Sequence, residues 1–322
     1  MLVTIGVLVL SLVLLTAGAE LLVRGAVGLA RAAGVSSLVI GLTVVAFGTS
    51  TPELATSLRA TLTGHPDVAV GNVIGSNIFN LGVILGIAAM VCPIAVHRRA
   101  IVDGALPMVV VALLPLMALA TGGVITWWQG VVMLGLLVVY VLAAYWRGRL
   151  DPERVEGEID EIPLAKKGRV WVSVVLVIAG LGLLVAATPL LVDSSVAIAR
   201  ALGVSELAIA LTIVAGGTSA PELVTSLIAA IRRHPDVAVG NVLGSNVFNI
   251  LAILGACAVT SPQALQRQTI VMDIPVMIGL SVLCVPLMRS GGRLSRVEGV
   301  LLLAAWVVYA VVVYAFGAAW FG

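Results

Sequence analysis

The sequence predicts an all-α polytopic membrane protein with ten transmembrane helices arranged as two inverted five-helix repeats. Three observations support this fold class: an apolar composition, an internal duplication, and one polar segment that divides the chain. Of the 322 residues, 61% are hydrophobic and only 11% are charged, whereas a soluble domain has roughly 25% charged residues. Many apolar runs approach about 20 residues, which is enough to cross a bilayer. The alternating pattern of an outer-membrane barrel is missing, and open sheets cannot span lipid.

The internal duplication covers residues 42–80 and 211–249. The first copy reads LTVVAFGTSTPELATSLRATLTGHPDVAVGNVIGSNIFN, and the second reads LTIVAGGTSAPELVTSLIAAIRRHPDVAVGNVLGSNVFN. About 28 of the 39 aligned positions are identical, at a constant offset of 169 residues. Such self-similarity indicates that one structural unit has been repeated within the fold.

Hydropathy divides the rest of the chain into ten apolar segments and one linker. We expect the segment 1–146 to form the first half, 147–169 the linker, and 170–322 the second half. The N-terminus lacks a basic leading region and a cleavage site, so we interpret it as the first spanning helix and not as a signal peptide. The predicted helices are 3–29, 36–63, 68–90, 100–120, 124–146, 169–198, 205–231, 237–259, 269–288 and 296–318.

Five crossings per half would make the second repeat enter the membrane from the opposite side to the first. The distribution of positive charge supports this topology. If the N-terminus is extracytoplasmic, 15 of the 18 basic residues fall in cytoplasmic loops, as positive-inside sorting predicts. The other three are Arg59, Arg200 and Arg267. We therefore predict extracytoplasmic termini and a cytoplasmic linker.

Charge and cysteine content exclude several classes of function. A net charge of +2 and the lack of a basic run with interleaved aromatic residues give no support for a nucleic-acid partner. Cys92, Cys257 and Cys284 have unrelated spacings, so they fit neither a disulfide framework nor a metal site. We expect them to be packing residues.

Each repeat places a glutamate, Glu53 or Glu222, inside an apolar stretch. A carboxylate at membrane depth is costly and marks a functional site by default, and neither repeat offers a basic partner at that depth. Pro52 and Pro221 each precede a glutamate and cannot donate the helical hydrogen bond. We therefore predict a kinked or unwound helix near Gly48 and its equivalent glycine, with backbone carbonyls exposed there.

The helix that follows each glutamate adds further oxygen ligands. Ser76 and Asn80 are four residues apart and share one helix face, as do Ser245 and Asn249. Asn77 and Asn246 are each turned away from that face by one residue, and we expect them to support the backbone of a broken helix. Carboxylates, amides, hydroxyls and carbonyls without His or Cys form the donor set that hard cations such as Ca²⁺ prefer.

Two carboxylates give this predicted site a charge of −2, which one Ca²⁺, two Na⁺ or two protons would cancel. Closing the site while it is empty would leave two unpaired carboxylates in a poorly hydrated place, and we expect that to cost several kcal/mol more than closing it occupied. A protein that switches only when loaded exchanges one cation for another. The residues therefore favour antiport as a hypothesis.

Other features have structural interpretations. We expect the glycines Gly71, Gly75, Gly240 and Gly244 to serve helix packing. The segments beginning at His65 and His234, each reading His-Pro-Asp, look like helix caps and turns. Glu20 and Arg24 are four residues apart and are expected to pair at a helix end. Trp127 and Trp128 are expected to be core or interfacial anchors.

The repeated segments also carry a family resemblance. The paired G-T-S-x-P-E segments, each followed by G-N-V-[IL]-G-S-N-[IV]-F-N, resemble the two alpha-repeats of the sodium/calcium exchangers in the cation/calcium exchanger superfamily. The short linker, which has no regulatory domain, makes the chain most similar to compact prokaryotic members. The resemblance implies a prokaryotic inner membrane, a monomeric transport unit, no cofactor, and transport of Ca²⁺ and Na⁺, typically three Na⁺ per Ca²⁺, by alternating access.

The resemblance also implies a role for individual residues. The helices 3–29 and 169–198 would be the gating pair that slides across the other eight. Glu53 and Glu222 would be the carboxylates shared by both ions, with carbonyls of Thr49 and Thr218 completing the Ca²⁺ site. The Na⁺ sites would lie beside it and would use the residues Ser50, Ser76, Ser219, Ser245, Ala46 and Ala215. Asn80 and Asn249 would complete the central ring.

Two departures bear on the counter-ion. Potassium-dependent relatives use Asp in the ring where Asn249 stands, so two asparagines argue against K⁺ transport. Proton-coupled relatives usually show an acidic-His signature in the second segment, where this chain has Gly-Ser-Asn. We therefore favour Na⁺ over H⁺, with an H⁺/Ca²⁺ antiporter and a passive cation channel as alternatives. No nucleophile–base pair supports an intramembrane enzyme.

Overall fold

A computed structural model describes residues 2–149, 170–202 and 215–321 of the chain. The helices are α1 (Leu2–Ala33), α2 (Ser37–Thr49), α3 (Thr51–Leu62), α4 (Pro66–Val91), α5 (Ala100–Thr121), α6 (Trp127–Arg149), α7 (Val170–Ala201), α8 (Ala215–Gly217), α9 (Ala220–Ile231), α10 (Pro235–Thr260), α11 (Thr269–Gly292) and α12 (Arg296–Phe321). Four two-residue strands are β1 (Ile94–Ala95), β2 (Val124–Ile125), β3 (Gln263–Ala264) and β4 (Arg293–Leu294).

The described helices are those of a polytopic membrane protein. Eight are long and apolar enough to cross a bilayer, and the bent pair α2 and α3 is a ninth candidate span. The predicted helix 205–231 lies partly outside the described residues; its described part is α8 and α9. Most of the predicted linker 147–169 also lies outside them.

Two helices, α4 and α10, form the centre of the bundle. In their most apolar windows 78% of α4 and 83% of α10 is buried within the protein, against 17–39% for the other single spans. Both contain the second part of a repeated segment. Helices buried all round are hydrophobic on every face, so the polar residues that α4 and α10 carry need partners inside the protein.

Glycines of α10 allow α2 to approach closely. A Cβ at Gly244 would lie 2.6 Å from the carbonyl oxygen of Leu42, and one at Gly240 would lie 2.9 Å from that of Leu38. Neither backbone atom could move without shifting α2. The packing role predicted for Gly240 and Gly244 is therefore confirmed. A Cβ at Gly71 or Gly75 would meet no described atom within 4 Å, so the structure does not support the packing role predicted for those two.

Helices α1 and α7 form a second tightly packed pair. Each has 32 residues, somewhat more than the predictions of 3–29 and 169–198. They cross where Gly18 faces Gly180, and a Cβ at Gly18 would lie 2.9 Å from the Gly180 carbonyl oxygen. Side chains of the two helices pack together along the crossing, so α1 and α7 form one continuous contact surface.

The short strands connect the two halves of the chain. The strand β1, between α4 and α5, pairs antiparallel with β4, between α11 and α12; β2 pairs with β3 in the equivalent way. The turns that precede α4 and α10 differ from the prediction. Pro66 and Pro235 are the first residues of these helices, so the aspartates that follow lie inside the first turn and do not cap it.

Candidate cation site

The helix that carries Glu53 is broken immediately before it. Helices α2 and α3 meet at Ser50 with a bend of 46°, and the backbone there has φ −80° and ψ 8°. Pro52 follows within the first turn of α3, where its missing N–H leaves no helical bond unmade. The predicted break near Gly48 is therefore confirmed.

The second repeat is interrupted at the equivalent place. Helix α8 ends at Gly217, and α9 begins at Ala220 with Pro221 in its first turn. Ser219 lies between them with φ −86° and ψ 11°, close to the values at Ser50. The same local sequence therefore produces the same break in both repeats.

Each buried glutamate accepts a hydrogen bond from the opposite repeat. Glu53 and Glu222 are both only 1% exposed. The Ser219 hydroxyl donates to Glu53 Oε1 at 2.8 Å, and the Ser50 hydroxyl donates to Glu222 Oε1 at 2.9 Å. No salt bridge from a described residue reaches either carboxylate. The two glutamates therefore come together at the point where both helices are broken.

Four acceptor oxygens around this point make no hydrogen bond within the described protein. They are Oε2 of Glu53, Oε2 of Glu222, Oδ1 of Asn80 and Oδ1 of Asn249. Buried acceptors are normally paired, and an unpaired one is costly. Two carboxylate and two amide oxygens are ligands that fit a hard cation such as Ca²⁺ or Na⁺.

The two asparagines lie where α4 and α10 depart from regular α-helix. A π-helical turn begins at Asn80 in α4 and at Asn249 in α10, and such turns are frequent at functional sites. Asn80 Nδ2 donates to Asn246 Oδ1 at 3.0 Å, and Asn249 Nδ2 donates to Asn77 Oδ1 at 2.9 Å. Asn77 and Asn246 thus bind the side chains of the predicted site, and Asn77 also donates to a backbone carbonyl, that of Asn246.

The hydroxyls predicted for the site belong to the same broken helices and to α4 and α10. The Ser76 and Ser219 oxygens lie 3.4 Å apart, whereas Ser245 Oγ and Thr218 Oγ1 are buried without a hydrogen-bond partner among the described residues. Thr49 Oγ1 donates to Asn241 Oδ1 at 3.0 Å and lies 3.4 Å from the Ala46 carbonyl oxygen.

The remaining backbone candidate, Ala215, is the first residue of α8. All twelve predicted site residues lie on or between the segments of the two broken helices, or on α4 and α10.

Two asparagines that the sequence analysis did not single out hold the glutamates in place. Asn72 Nδ2 donates to the backbone carbonyl of Glu53 at 3.4 Å and to Ser57 Oγ at 2.9 Å. Asn241 makes the equivalent bonds to the carbonyl of Glu222 at 3.3 Å and to a serine hydroxyl at 2.9 Å. Their signal in the sequence is the repeated Gly-Asn pair that precedes each Gly-Ser-Asn.

At one position the two copies of the repeat differ strongly: Phe47 in the first corresponds to Gly216 in the second. This difference has a structural explanation. The Phe47 ring packs on Phe248 with a centroid distance of 5.6 Å. On the other side, a Cβ at Gly216 would lie 3.1 Å from the Phe79 ring. A cavity of about 380 Å³ lies there, lined by Phe79 and by residues of α7, α8 and α9. Phe47 thus packs on an aromatic ring at the first position, whereas Gly216 leaves room for the Phe79 ring at the second.

Comparison with known proteins gives consistent matches over both halves. The family model described as sodium/calcium exchanger protein matches residues 3–146 and 172–315. CaxA of Alkalimonas amylolytica, whose name describes an antiporter, is 39% identical over 310 residues, 95% of this chain and 97% of CaxA. The sodium/calcium exchanger MaX1 of Methanosarcina acetivorans is 29% identical over 341 residues, covering 96% of this chain and 97% of MaX1.

A solved structure matches the fold over the same extent. It is that of the sodium-calcium exchanger NCX_Mj soaked with 2.5 mM Na⁺ and 0.1 mM Ca²⁺. The TM-score is 0.78 and the sequence identity 33%, and the match covers 96% of this chain and 97% of NCX_Mj.

Proposed function

Because the chain belongs to the sodium/calcium exchanger family, we propose that it is a Na⁺/Ca²⁺ antiporter that works by alternating access. The family makes it a multi-pass membrane exchanger of cations against Ca²⁺. The finer proposal is that Na⁺ is the counter-ion and that both ions use one site shared between the repeats. The four unpaired buried oxygens of Glu53, Glu222, Asn80 and Asn249 carry this proposal.

The proposed Ca²⁺ site uses these four oxygens and the backbone carbonyls of Thr49 and Thr218. Ca²⁺ takes 6–8 oxygen ligands at about 2.3–2.6 Å, so four side-chain oxygens and two carbonyls reach the lower end of that range. One Ca²⁺ would neutralise the two carboxylates.

The proposed Na⁺ sites flank the central one. Four serine hydroxyls and two backbone carbonyls would line them, from Ser50, Ser76, Ser219, Ser245, Ala46 and Ala215. The Ser50 hydroxyl donates a hydrogen bond to Glu222, and the Ser219 hydroxyl donates one to Glu53. Their lone pairs stay available, so each serine can hold a carboxylate and bind Na⁺ at the same time.

The buried charge gives a reason for coupling. Without a cation, two carboxylates share a buried site in which no described basic residue neutralises them, and closing the protein over them is unfavourable. Closure with Ca²⁺ or with Na⁺ in the site removes that penalty. The protein therefore changes from one access state to the other only when a cation is bound. An exchange of three Na⁺ for one Ca²⁺ moves one net charge, and its driving force would change by about 2.3 kcal/mol per 100 mV.

The proposed topology is that of two inverted five-helix repeats in a prokaryotic inner membrane. Hydrogen bonds that come in pairs at the 169-residue offset, Ser50 to Glu222 and Ser219 to Glu53, support a two-fold relation between the repeats. The termini would be extracytoplasmic and the linker 147–169 cytoplasmic. One chain in the lipid bilayer would be the transport unit, with no cofactor.

Flux measurements in proteoliposomes test this function. We expect uptake of radioactive Ca²⁺ to follow an outward Na⁺ gradient and to respond to membrane potential, with no requirement for K⁺. Ca²⁺ uptake that ignores the Na⁺ gradient but follows a pH gradient would reject Na⁺ coupling and establish the H⁺/Ca²⁺ alternative. Sustained single-channel currents would instead establish a passive channel.

A further inference from the structure

We propose that Met108 and Met277 are positioning residues that fix which end of the Asn80 and Asn249 amides faces the cation site. They would act through Asn246 and Asn77, respectively. The proposal rests on the proposed function, because it assigns a Ca²⁺ affinity to the orientation of two amides. It deepens that function by naming buried residues, outside the twelve site residues, that control the site's affinity.

The orientation of an asparagine side chain determines which of two chemically different groups, the oxygen or the NH₂ group, faces the site. Its carbonyl oxygen binds a cation, whereas its NH₂ group donates hydrogen bonds and repels one. If the amide of Asn80 or Asn249 were reversed, the NH₂ group would face the unpaired carboxylate oxygens of Glu53 and Glu222. It would then occupy acceptors that a cation needs. Some neighbouring group must therefore favour one orientation over the other.

The first set of contacts runs from Met108 to Asn80. A thioether sulfur has no proton, so it can only accept. Asn246 Nδ2 donates to Met108 Sδ at 3.4 Å, which directs Asn246 Oδ1 the opposite way. That oxygen accepts from Asn80 Nδ2 at 3.0 Å, and Asn80 Oδ1 is left without a partner among the described residues. Met108 thus determines the polarity of both amides.

The second set repeats the first at the 169-residue offset. Asn77 Nδ2 donates to Met277 Sδ at 3.5 Å, and Asn77 Oδ1 accepts from Asn249 Nδ2 at 2.9 Å. Asn249 Oδ1 is then left without a hydrogen-bond partner among the described residues. Both methionines and all four asparagines are at most 2% exposed, so water does not compete for these donors.

The amides within each set must turn together. If Asn246 reversed alone, its NH₂ group would meet the NH₂ group of Asn80, and its oxygen would meet the sulfur of Met108. Both contacts are repulsive, because each brings together two groups of the same kind. If Asn80 also reversed, only the oxygen–sulfur repulsion would remain. The sulfur is therefore the group that keeps the Asn80 oxygen toward the site.

The two sets differ in one respect, and this difference gives a test. Asn77 Nδ2 also donates to the backbone carbonyl of Asn246 at 3.2 Å, so Asn77 has an anchor besides Met277. The described hydrogen bonds of Asn246 Nδ2 go to Met108 alone. Removing the sulfur of Met108 should therefore disturb the site more than removing that of Met277.

The experiment replaces each sulfur with carbon at nearly constant volume, in the variants Met108→Leu and Met277→Leu. Met133→Leu is the matched control, because Met133 is fully buried and no described residue donates to its sulfur. The measurements are the Ca²⁺ concentration for half-maximal exchange in proteoliposomes, the maximal rate, and the Ca²⁺-induced rise in unfolding temperature of the detergent-solubilised protein.

We expect Met108→Leu to raise the half-saturating Ca²⁺ concentration by about tenfold and Met277→Leu by about threefold, with a smaller Ca²⁺-induced rise in unfolding temperature. The maximal rate and the unfolding temperature without Ca²⁺ should stay near those of the unaltered protein, as should every value for Met133→Leu. The proposal is overturned if the double variant Met108→Leu/Met277→Leu stays within twofold of the unaltered protein. It is also overturned if Met133→Leu shows the same loss.

The outcome is separable from that of the proposed function. The Ca²⁺-induced shift in unfolding temperature needs neither Na⁺ nor transport. If the unaltered protein is stabilised by Ca²⁺ but shows no Na⁺-driven uptake, Na⁺ coupling fails while the methionine variants still report on the amide orientation. If Na⁺-driven uptake is present and the variants bind Ca²⁺ normally, the positioning role alone fails.

Discussion

The two repeats make equivalent contacts around the buried glutamates but different contacts at their ends. At the centre, Ser50 donates to Glu222 as Ser219 donates to Glu53, with distances of 2.9 and 2.8 Å. If the repeats are inverted, the second access state is approximately the first with the roles of the repeats exchanged. Equivalent contacts then exist in both states, so the central contacts determine the chemistry of the site without favouring one state.

A contact without a counterpart has the opposite consequence. Arg232, at the end of α9, donates to Glu20 of α1 at 2.8 Å. The positions related to these two by the 169-residue offset are Pro189 and Thr63, which cannot form an ion pair. Breaking the Glu20–Arg232 pair is therefore not offset by a new pair elsewhere. Such contacts bias the equilibrium between states.

The largest effect is expected at the symmetric centre. Glu53→Gln and Glu222→Gln each remove one of the two charges, so the site could no longer be neutralised by Ca²⁺. We expect Na⁺/Ca²⁺ exchange in proteoliposomes to fall at least about a hundredfold in both variants, since loss of one buried charge contact is worth about 3 kcal/mol or more. Near-equal losses would support equivalent roles for the two repeats.

The matched control for both variants is Glu298→Gln. Glu298 is also buried, at 8% exposure, but it accepts from Ser290 and Ser295 at a helix start away from the site. It should retain exchange. Size-exclusion chromatography would establish that all three variants fold. Normal exchange by a folded Glu53→Gln or Glu222→Gln variant would remove that glutamate from the site.

A smaller but more selective effect is expected from Asn249→Asp. One of the new carboxyl oxygens would face Asn77 Oδ1, which now accepts from Asn249 Nδ2 at 2.9 Å. Two acceptors repel unless a proton lies between them, so a protonated Asp at this position would imitate asparagine. We expect near-normal Ca²⁺ affinity at acidic pH and a change of about tenfold as the proton is lost at higher pH.

The measurement is the half-saturating Ca²⁺ concentration at pH 6 and at pH 8.5. Asn80→Asp should behave alike, because its nitrogen donates to Asn246 in the equivalent way at 3.0 Å. An unchanged ion selectivity and an unchanged pH dependence would mean that position 249 does not face the ions. A response at one position but not at the other would break the equivalence of the repeats.

Much of this centre could be predicted from the sequence because its signals are local. The Pro-Glu pairs specify a broken helix with a carboxylate beside it, and duplication indicates a partner of the same kind. What could not be predicted depends on contacts between segments far apart in the chain. Ser219 reaches Glu53 across 166 residues, and Asn246 reaches Met108 across 138. Hydropathy and motif spacing contain no information on which side chains meet at such separations.

The π-helical turns at Asn80 and Asn249 were missed for a related reason. A π-turn inserts one extra residue into a helix, and its position depends on how the helix packs against its neighbours. The surrounding sequences, Phe-Asn-Leu-Gly and Phe-Asn-Ile-Leu, contain no proline, and the glycine of the first has no counterpart in the second. Only the packed bundle shows where each turn lies.

A moderate effect is expected from the unsymmetric pair. Arg232→Thr places at this position the residue found in the other repeat, and it removes the ion pair that joins α1 to the end of α9. A partly exposed ion pair contributes about 0.2–1 kcal/mol, so the balance between access states should shift by up to about fivefold. Ca²⁺ half-saturation measured from the two sides of the membrane should then move in opposite directions.

Arg24→Gln is the control for this variant. Arg24 also donates to Glu20, at 2.7 Å, but within α1, as its spacing predicted. Removing it breaks an ion pair without releasing one helix from another, so both sides should keep their Ca²⁺ half-saturation. Equal shifts on both sides in Arg232→Thr would indicate a changed site affinity and would contradict the bias between states.

The smallest effect is expected where the two repeats make the same bond with different residues. His97 lies 3.1 Å from Asp236, and at the equivalent position Gln266 donates to Asp67 at the same distance, 3.1 Å. Because glutamine already performs this role in one repeat, we expect His97→Gln to change the free energy of unfolding by less than about 1 kcal/mol. Thermal unfolding in detergent measures this change.

The reciprocal variant Gln266→His decides what that small effect means. If the bond alone matters, an imidazole against Asp67 should be as well tolerated as the one against Asp236. Both variants should then unfold within a few degrees of the unaltered protein. A large loss in His97→Gln with none in Gln266→His would show that the two ends of the molecule differ in more than the chemistry of this pair. The imidazole would then have a second partner that glutamine cannot replace.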